Sequence, residues 1–202
     1  EEREERLFEI VAHMNKGAQE SKDAAAREAL ADLNLRAAQR AMTAAAFAPA
    51  WELLQTALTL RGPDRFARNY QAALLLNTVA AEGAAYAGDL AAMEALVAEV
   101  EREGRTLLDK ARAREVMMRA YIAKERGTDA LRLGRKHLRE LGERIPEKLT
   151  PVVLLVELVR FNRVLGRRTA EELLQLPPMS DPIKQAAMRT YGLLTAYAYE
   201  TQ

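Results

Sequence analysis

One pattern occurs three times along the chain and constrains its fold more than any other feature. Two adjacent small or apolar residues are followed one turn later by a third. A turn comes next, then small or apolar residues spaced three and four apart. The first copy runs Ala37-Ala38, Ala41, Phe47, Ala50, Leu54, Ala57. The second runs Ala80-Ala81, Ala84, Leu90, Met93, Val97, Val100, and the third Met117-Met118, Tyr121, Gly127, Ala130, Gly134, His137. These spacings are those of one face of a helix. Small residues let two antiparallel helices approach closely, where a large side chain would wedge them apart. From Phe47 to Leu90 is 43 residues and from Leu90 to Gly127 is 37, close to the ~34-residue tetratricopeptide unit and the ~40–47 residues of related helical repeats. Stacked hairpins share a continuous core and present a concave face. The expected fold is all-α: a tetratricopeptide-like right-handed α-solenoid of stacked antiparallel helix hairpins.

Composition agrees. Ala and Leu dominate, with Arg, Glu and Gln, all residues that lose little rotamer freedom in a helix. Turn chemistry divides the chain. Gly17 closes a first helix, and Ser21-Lys22-Asp23 reads as a turn and N-cap. Pro49 suits the first turn of a helix that Gly62-Pro63 ends, and Gly88-Asp89 and Gly127 break the next two pairs. Pro151 opens a further helix, Thr169 and Glu172 form a capping box, and Ser180-Asp181-Pro182 starts the last helix. The expected organisation is a single helical-repeat domain over residues 1–202. It comprises a lead-in helix over 1–20, hairpins over 25–62, 66–108, 110–142 and 151–177, and a terminal helix over 181–202.

Several function classes lose their footing. Thirty basic and 29 acidic side chains leave a formal charge of +1, so no bulk attraction draws the chain to nucleic acid or an anionic membrane. Cys is absent, which removes disulfides, thiolate metal sites and a cysteine nucleophile. No apolar run reaches the ~18 residues of a membrane span, and the charged opening Glu1-Glu2-Arg3-Glu4-Glu5-Arg6 is unlike a signal peptide. A cytoplasmic location is expected. A start without Met suggests a segment of a longer protein. No Walker A loop, His-Glu-x-x-His or Gly-x-Ser-x-Gly occurs, and Gly88-Asp89-Leu90 reads as a hairpin turn. His137 falls on a core-facing repeat position and His13 far from it, so no metal site is expected. The residues thus predict a non-catalytic protein with no cofactor, no metal and no nucleic-acid partner.

The concave face is where such solenoids bind. The register places Leu35, Gln39 and Met42 there, then Thr78, Glu82 and Ala85, then Glu115, Arg119 and Ile122. Gln39, Glu82 and Arg119 would form a polar row flanked by apolar residues, suited to a peptide or helix and too flat for catalysis. Arg160, Arg163, Arg167 and Arg168 form a second, basic patch with only Glu157 before them, a candidate acidic contact. The abundance of Arg over Lys fits phosphate recognition or simply a GC-rich genome or a heat-adapted source. Trp51 and the tyrosines Tyr191, Tyr197 and Tyr199 are expected to pack, with the C-terminal end open to self-association.

Specific strings go further. Arg6-Leu7-Phe8-Glu9-Ile10-Val11-Ala12-His13-Met14-Asn15-Lys16-Gly17-Ala18, Leu33-Asn34-Leu35-Arg36-Ala37-Ala38, Ala84-Ala85-Tyr86-Ala87-Gly88-Asp89-Leu90, Thr106-Leu107-Leu108-Asp109-Lys110 and Arg119-Ala120-Tyr121-Ile122-Ala123 resemble the helical-repeat region of large bacterial signalling proteins. So do Leu141-Gly142-Glu143-Arg144-Ile145-Pro146-Glu147-Lys148 and Leu176-Pro177-Pro178-Met179-Ser180-Asp181-Pro182. Such proteins carry a serine/threonine-kinase-like domain, an AAA/STAND-type ATPase, tetratricopeptide-like repeats, a GAF sensor and a histidine kinase or other output. The resemblance implies that the first helix leaves the ATPase arm and that the repeats are a non-catalytic regulatory scaffold between nucleotide switch and output domain. The implied partner is a protein: those neighbouring domains or an external one. The alternative is a solenoid that senses a small-molecule effector.

Overall fold

The computed structural model describes residues 2–18, 23–143, 150–166 and 168–200. These hold eleven helices and no strand. The first is α1 (Glu2–Ala18); α2 (Ala24–Thr43) and α3 (Phe47–Arg61) form the first hairpin. The one-turn α4 (Arg65–Arg68) leads into the second, α5 (Tyr70–Ala87) and α6 (Leu90–Glu103). The third is α7 (Leu107–Ala123) with α8 (Gly127–Glu140). Then come α9 (Pro151–Leu165), α10 (Ala170–Leu174) and α11 (Pro182–Glu200).

The repeated small residues sit where helices cross. Ala37, Ala38, Ala50, Leu54 and Ala57 are buried in the first hairpin, Ala80, Ala81, Ala84, Met93 and Val100 in the second, and Met118, Ala130 and His137 in the third. Packing passes from hairpin to hairpin: α5 lies on α3, α7 on α5 and α6, and α11 on α7 and α8. Burying each Leu, Val or Met contributes about 1.5–3 kcal/mol, and the alanines make that burial possible. At Gly83 a single added carbon would lie 2.4 Å from Leu54 Cδ1, and at Gly134 2.8 Å from Leu194 Cδ1.

The hairpin turns share one geometry. Ala45, Gly88 and Glu125 take left-handed backbone, with φ of 56°, 87° and 58°. The following N–H reaches back to close a six-residue loop: Ala46 to the Ala41 carbonyl at 2.8 Å, Asp89 to Ala84 at 2.9 Å, and Arg126 to Tyr121 at 2.8 Å. This is the Schellman closure. Gly142 with Glu143 repeats it at the end of α8.

Some expected boundaries move. No continuous helix begins at Phe66: Asn69 leaves helical geometry, and its side chain accepts from the Ala72 N–H to start α5 at Tyr70. The second hairpin ends at Glu103, not at 108, because Thr106 and Asp109 build a capping box that starts α7 at Leu107. The hairpin expected over 151–177 is not a buried repeat. α9 buries no residue, and α11 takes the packing position on α7 and α8, burying Ala186, Ala187 and Leu194. Asp23, Thr169 with Glu172, and Asp181 cap as expected; Ser21, Lys22 and Pro146 lie outside the described residues.

Candidate functional site

The three hairpins align residue by residue at the offsets of the repeated pattern, and each register has its own environment. Leu35, Thr78 and Glu115 are equivalent and buried, so they belong to the packing between helices and do not line an open face. One turn on, Gln39 is exposed, Glu82 is 18 % exposed and Arg119 38 %. Met42, Ala85 and Ile122, the third set, are half-buried against the core. The expected polar row is therefore shorter than drawn. Glu82 and Arg119 meet at 3.6 Å, whereas Gln39 stands apart on α2.

Glu82 and Arg119 belong to a five-membered ionic cluster joining α5, α7 and α11. Buried Glu115 accepts from Arg189 of α11 at 2.8 Å. Arg112 lies 3.6 Å from Glu115 and 3.6 Å from Glu82, and Arg119 lies 3.9 Å from Glu115. Three guanidiniums thus face two carboxylates, a net charge of +1. Four of these five contacts exceed hydrogen-bond length, and Arg119 Nε is buried with no partner, so the cluster keeps unused donors.

Beside it opens a cavity of about 180 Å³. Ala85, Leu90, Val116, Ala120 and Ala123 give it an apolar wall, while Glu82, Arg119 and Lys124 supply charge. Tyr86 also lines it and stacks on Phe47 of α3, with ring centroids 4.9 Å apart. The sequence pattern does not single out Val116, Ala120 and Lys124, although their steps of four along α7 and its C-cap mark one helical stripe. The volume is below the ~300–1,000 Å³ of typical small-molecule sites and suits one apolar side chain.

A second polar centre is buried. Arg114, 3 % exposed, donates to Glu101 at 2.7 Å and to Glu140 at 2.6 Å, and its Nη1 lies 2.9 Å from His137 Nδ1. Burial, then the Arg114 charge, pushes the His137 imidazole down to about 4, so the ring is neutral near pH 7 and Nδ1 accepts. A cavity of about 340 Å³ opens beside Arg114 and Glu101, walled by Val97, Met117 and Leu133. Tyr121 donates to Glu94 at 2.9 Å, and burial together with that bond pushes its phenol up to about 12.

The basic patch is looser. Arg160 pairs with Glu157 at 2.8 Å, and Arg163 and Arg168 are exposed; Arg167 lies outside the described residues, as do the side chains of Tyr197 and Tyr199. Among the described residues no cluster of His, Asp and Glu could hold a metal ion, and no helix is long and apolar enough to cross a membrane. No family model, curated protein or solved structure matches the chain.

Proposed function

We propose that this chain is a tetratricopeptide-like, right-handed α-solenoid that acts as a non-catalytic, protein-binding regulatory scaffold within a multidomain ATPase and kinase signalling protein. The observation that carries the reading is the apolar cavity between α5 and α7 beside the Glu82–Arg112–Glu115–Arg119–Arg189 cluster. A pocket of that size accepts a side chain of a peptide or helix, and the unused guanidinium donors beside it suit an adjacent carboxylate. The resemblance of the strings from Leu7 to Met14 and from Leu176 to Pro182 supplies the context: a cytoplasmic segment between a nucleotide switch and an output domain.

The test is calorimetric titration of the chain with the adjoining ATPase domain of its parent, with and without ATP. Nucleotide-dependent binding that weakens at least tenfold in Arg119→Glu, without loss of helicity, supports the reading. No binding in either nucleotide state, or binding indifferent to Arg119→Glu and Glu82→Arg alike, overturns it.

A further inference from the structure

The groove between α5 and α7 has two unlike walls. On α5, Leu75, Val79, Glu82 and Tyr86 are four, three and four residues apart and so share one helical stripe. Leu75 is 51 % exposed and Tyr86 49 %, which makes that wall largely apolar. On α7, the positions equivalent to Leu75 and Glu82 are Arg112 and Arg119, both open to solvent in part. Lys124, at the C-cap of α7, lines the cavity and pairs with no carboxylate among the described residues. That wall is basic.

Arg189 of α11 decides how much of the charge is free. It donates to buried Glu115 at 2.8 Å. Arg112 and Arg119 stay 3.6 to 3.9 Å from Glu82 and Glu115, beyond hydrogen-bond length, so their donors remain for an outside acceptor. With Lys124, four cations face two carboxylates. The groove thus carries +2 in a chain whose total is +1, and its complement is acidic.

Spacing sets the form of that complement. Arg112 and Arg119 are seven residues apart, two turns of α7 and about 10.5 Å along its axis. Side chains seven apart on a second helix laid along α7 match the interval. Same-side residues of an extended chain fall about 6.6 or about 13 Å apart and miss it. Given that this groove is the protein-binding site proposed above, we infer that its occupant is an acidic amphipathic helix. Its apolar residues face Leu75, Tyr86 and the cavity, and two carboxylates seven residues apart meet Arg112 and Arg119.

Selection of a randomised peptide library on the immobilised full chain, followed by anisotropy titration of the selected peptides, tests this. The expected peptides carry two acidic residues seven apart and a large apolar residue, and circular dichroism shows them gaining helix on binding. Their affinity should fall at least tenfold in Arg112→Ala and in Arg119→Ala. Arg189→Ala should also weaken them, because Glu115 then draws on Arg112 and Arg119, while Arg189→Lys should bind nearly as well as the parent. Ala123 is exposed and lines the cavity, so Ala123→Trp plugs the groove without entering the core. Neutral or basic peptides that Ala123→Trp displaces overturn the acidic occupant and leave the groove standing as a binding site. Acidic peptides that stay extended when bound overturn the helical one. No selected peptide, or peptides indifferent to Ala123→Trp, overturns the occupant and the groove together.

Discussion

Nη1 of Arg114 lies 2.9 Å from Nδ1 of His137, a cation held against a neutral imidazole inside the third hairpin. Glu101 and Glu140 satisfy the guanidinium on its other edges. The ring accepts on Nδ1, so its proton sits on Nε2, which is buried with no partner among the described residues. Protonating Nδ1 would cost the Arg114 contact and place two cations side by side.

Stability should therefore fall in mild acid. The folded pKa is about 4 against 6.5 for the free group, so the unfolded chain takes up the proton first. The contribution is fully present above pH 6.5 and is lost as pH falls from there towards 4, on the order of 3 kcal/mol in all. Urea unfolding at half-unit steps from pH 7.5 to pH 4 measures it. In His137→Asn the part of the slope above pH 5 should flatten; an unchanged slope would assign it to carboxylates.

Three glycines should separate by what surrounds them. Gly83→Ala drives a methyl into buried Leu54 and should cost about 1–3 kcal/mol, overpacking outweighing the gain in helix propensity. Gly134→Ala meets Leu194 and should loosen α8 from α11. Gly192, in α11, has nothing within 4 Å of an added carbon, so Gly192→Ala should stabilise by up to about 1 kcal/mol. Thermal unfolding of the three variants orders them.

Ala45 and Glu125 hold the left-handed turn position that Gly88 fills without strain. Replacing either by glycine should raise stability by about 1 kcal/mol, with the steric relief exceeding the added freedom of the unfolded chain. Gly88→Ala should lose a similar amount. Melting temperatures of Ala45→Gly, Glu125→Gly and Gly88→Ala decide the matter, and a loss in the first two would refute the assignment of strain.

Arg189 is the polar tie between α11 and the third hairpin through Glu115. Arg189→Ala should speed amide exchange along α11 by roughly tenfold, equivalent to about 1.4 kcal/mol of docking, and leave α2 and α3 unaffected. Uniform acceleration across all helices would instead mean global destabilisation.

The residues that made the fold readable are those whose role is local. The repeated pattern spaces Phe47, Leu90 and Gly127 by 43 and 37, and the left-handed turn residues Ala45, Gly88 and Glu125 fall at the same two intervals. What stayed hidden depends on distant partners. Asn34, Asn77 and Arg114 occupy one register of the three hairpins and are all buried. Each is satisfied from elsewhere: Asn15 bonds Asn34 at 2.9 Å, and Arg65 and Glu99 bond Asn77 at 2.8 Å. The excess of arginine gives no hint of this use, yet Arg61, 2 % exposed between Glu28 and Asp32, spends its charge inside the molecule. The apolar period of α9 reads like any core helix, and the competing claim of Ala186, Ala187 and Leu194 on the third hairpin is not visible in a linear pattern. Of the site, Glu82 and Arg119 were legible, because a step of four on one helix and an equivalent step on the next place them opposite each other; burial of Glu115 was not, because it depends on Arg189, 74 residues away.

Among the described residues packing passes chiefly between neighbouring helices, so a pull across α3, α5, α7 and α11 has few parallel routes to follow. Every junction carries the same tension, like links in a chain, and the one with the least holding it yields first while the rest keep their shape. The α11 junction is held by Leu194 over Gly134 and by Arg189 on Glu115. A load entering α11 at Pro182 would fall on that junction before it reached α5 or α3.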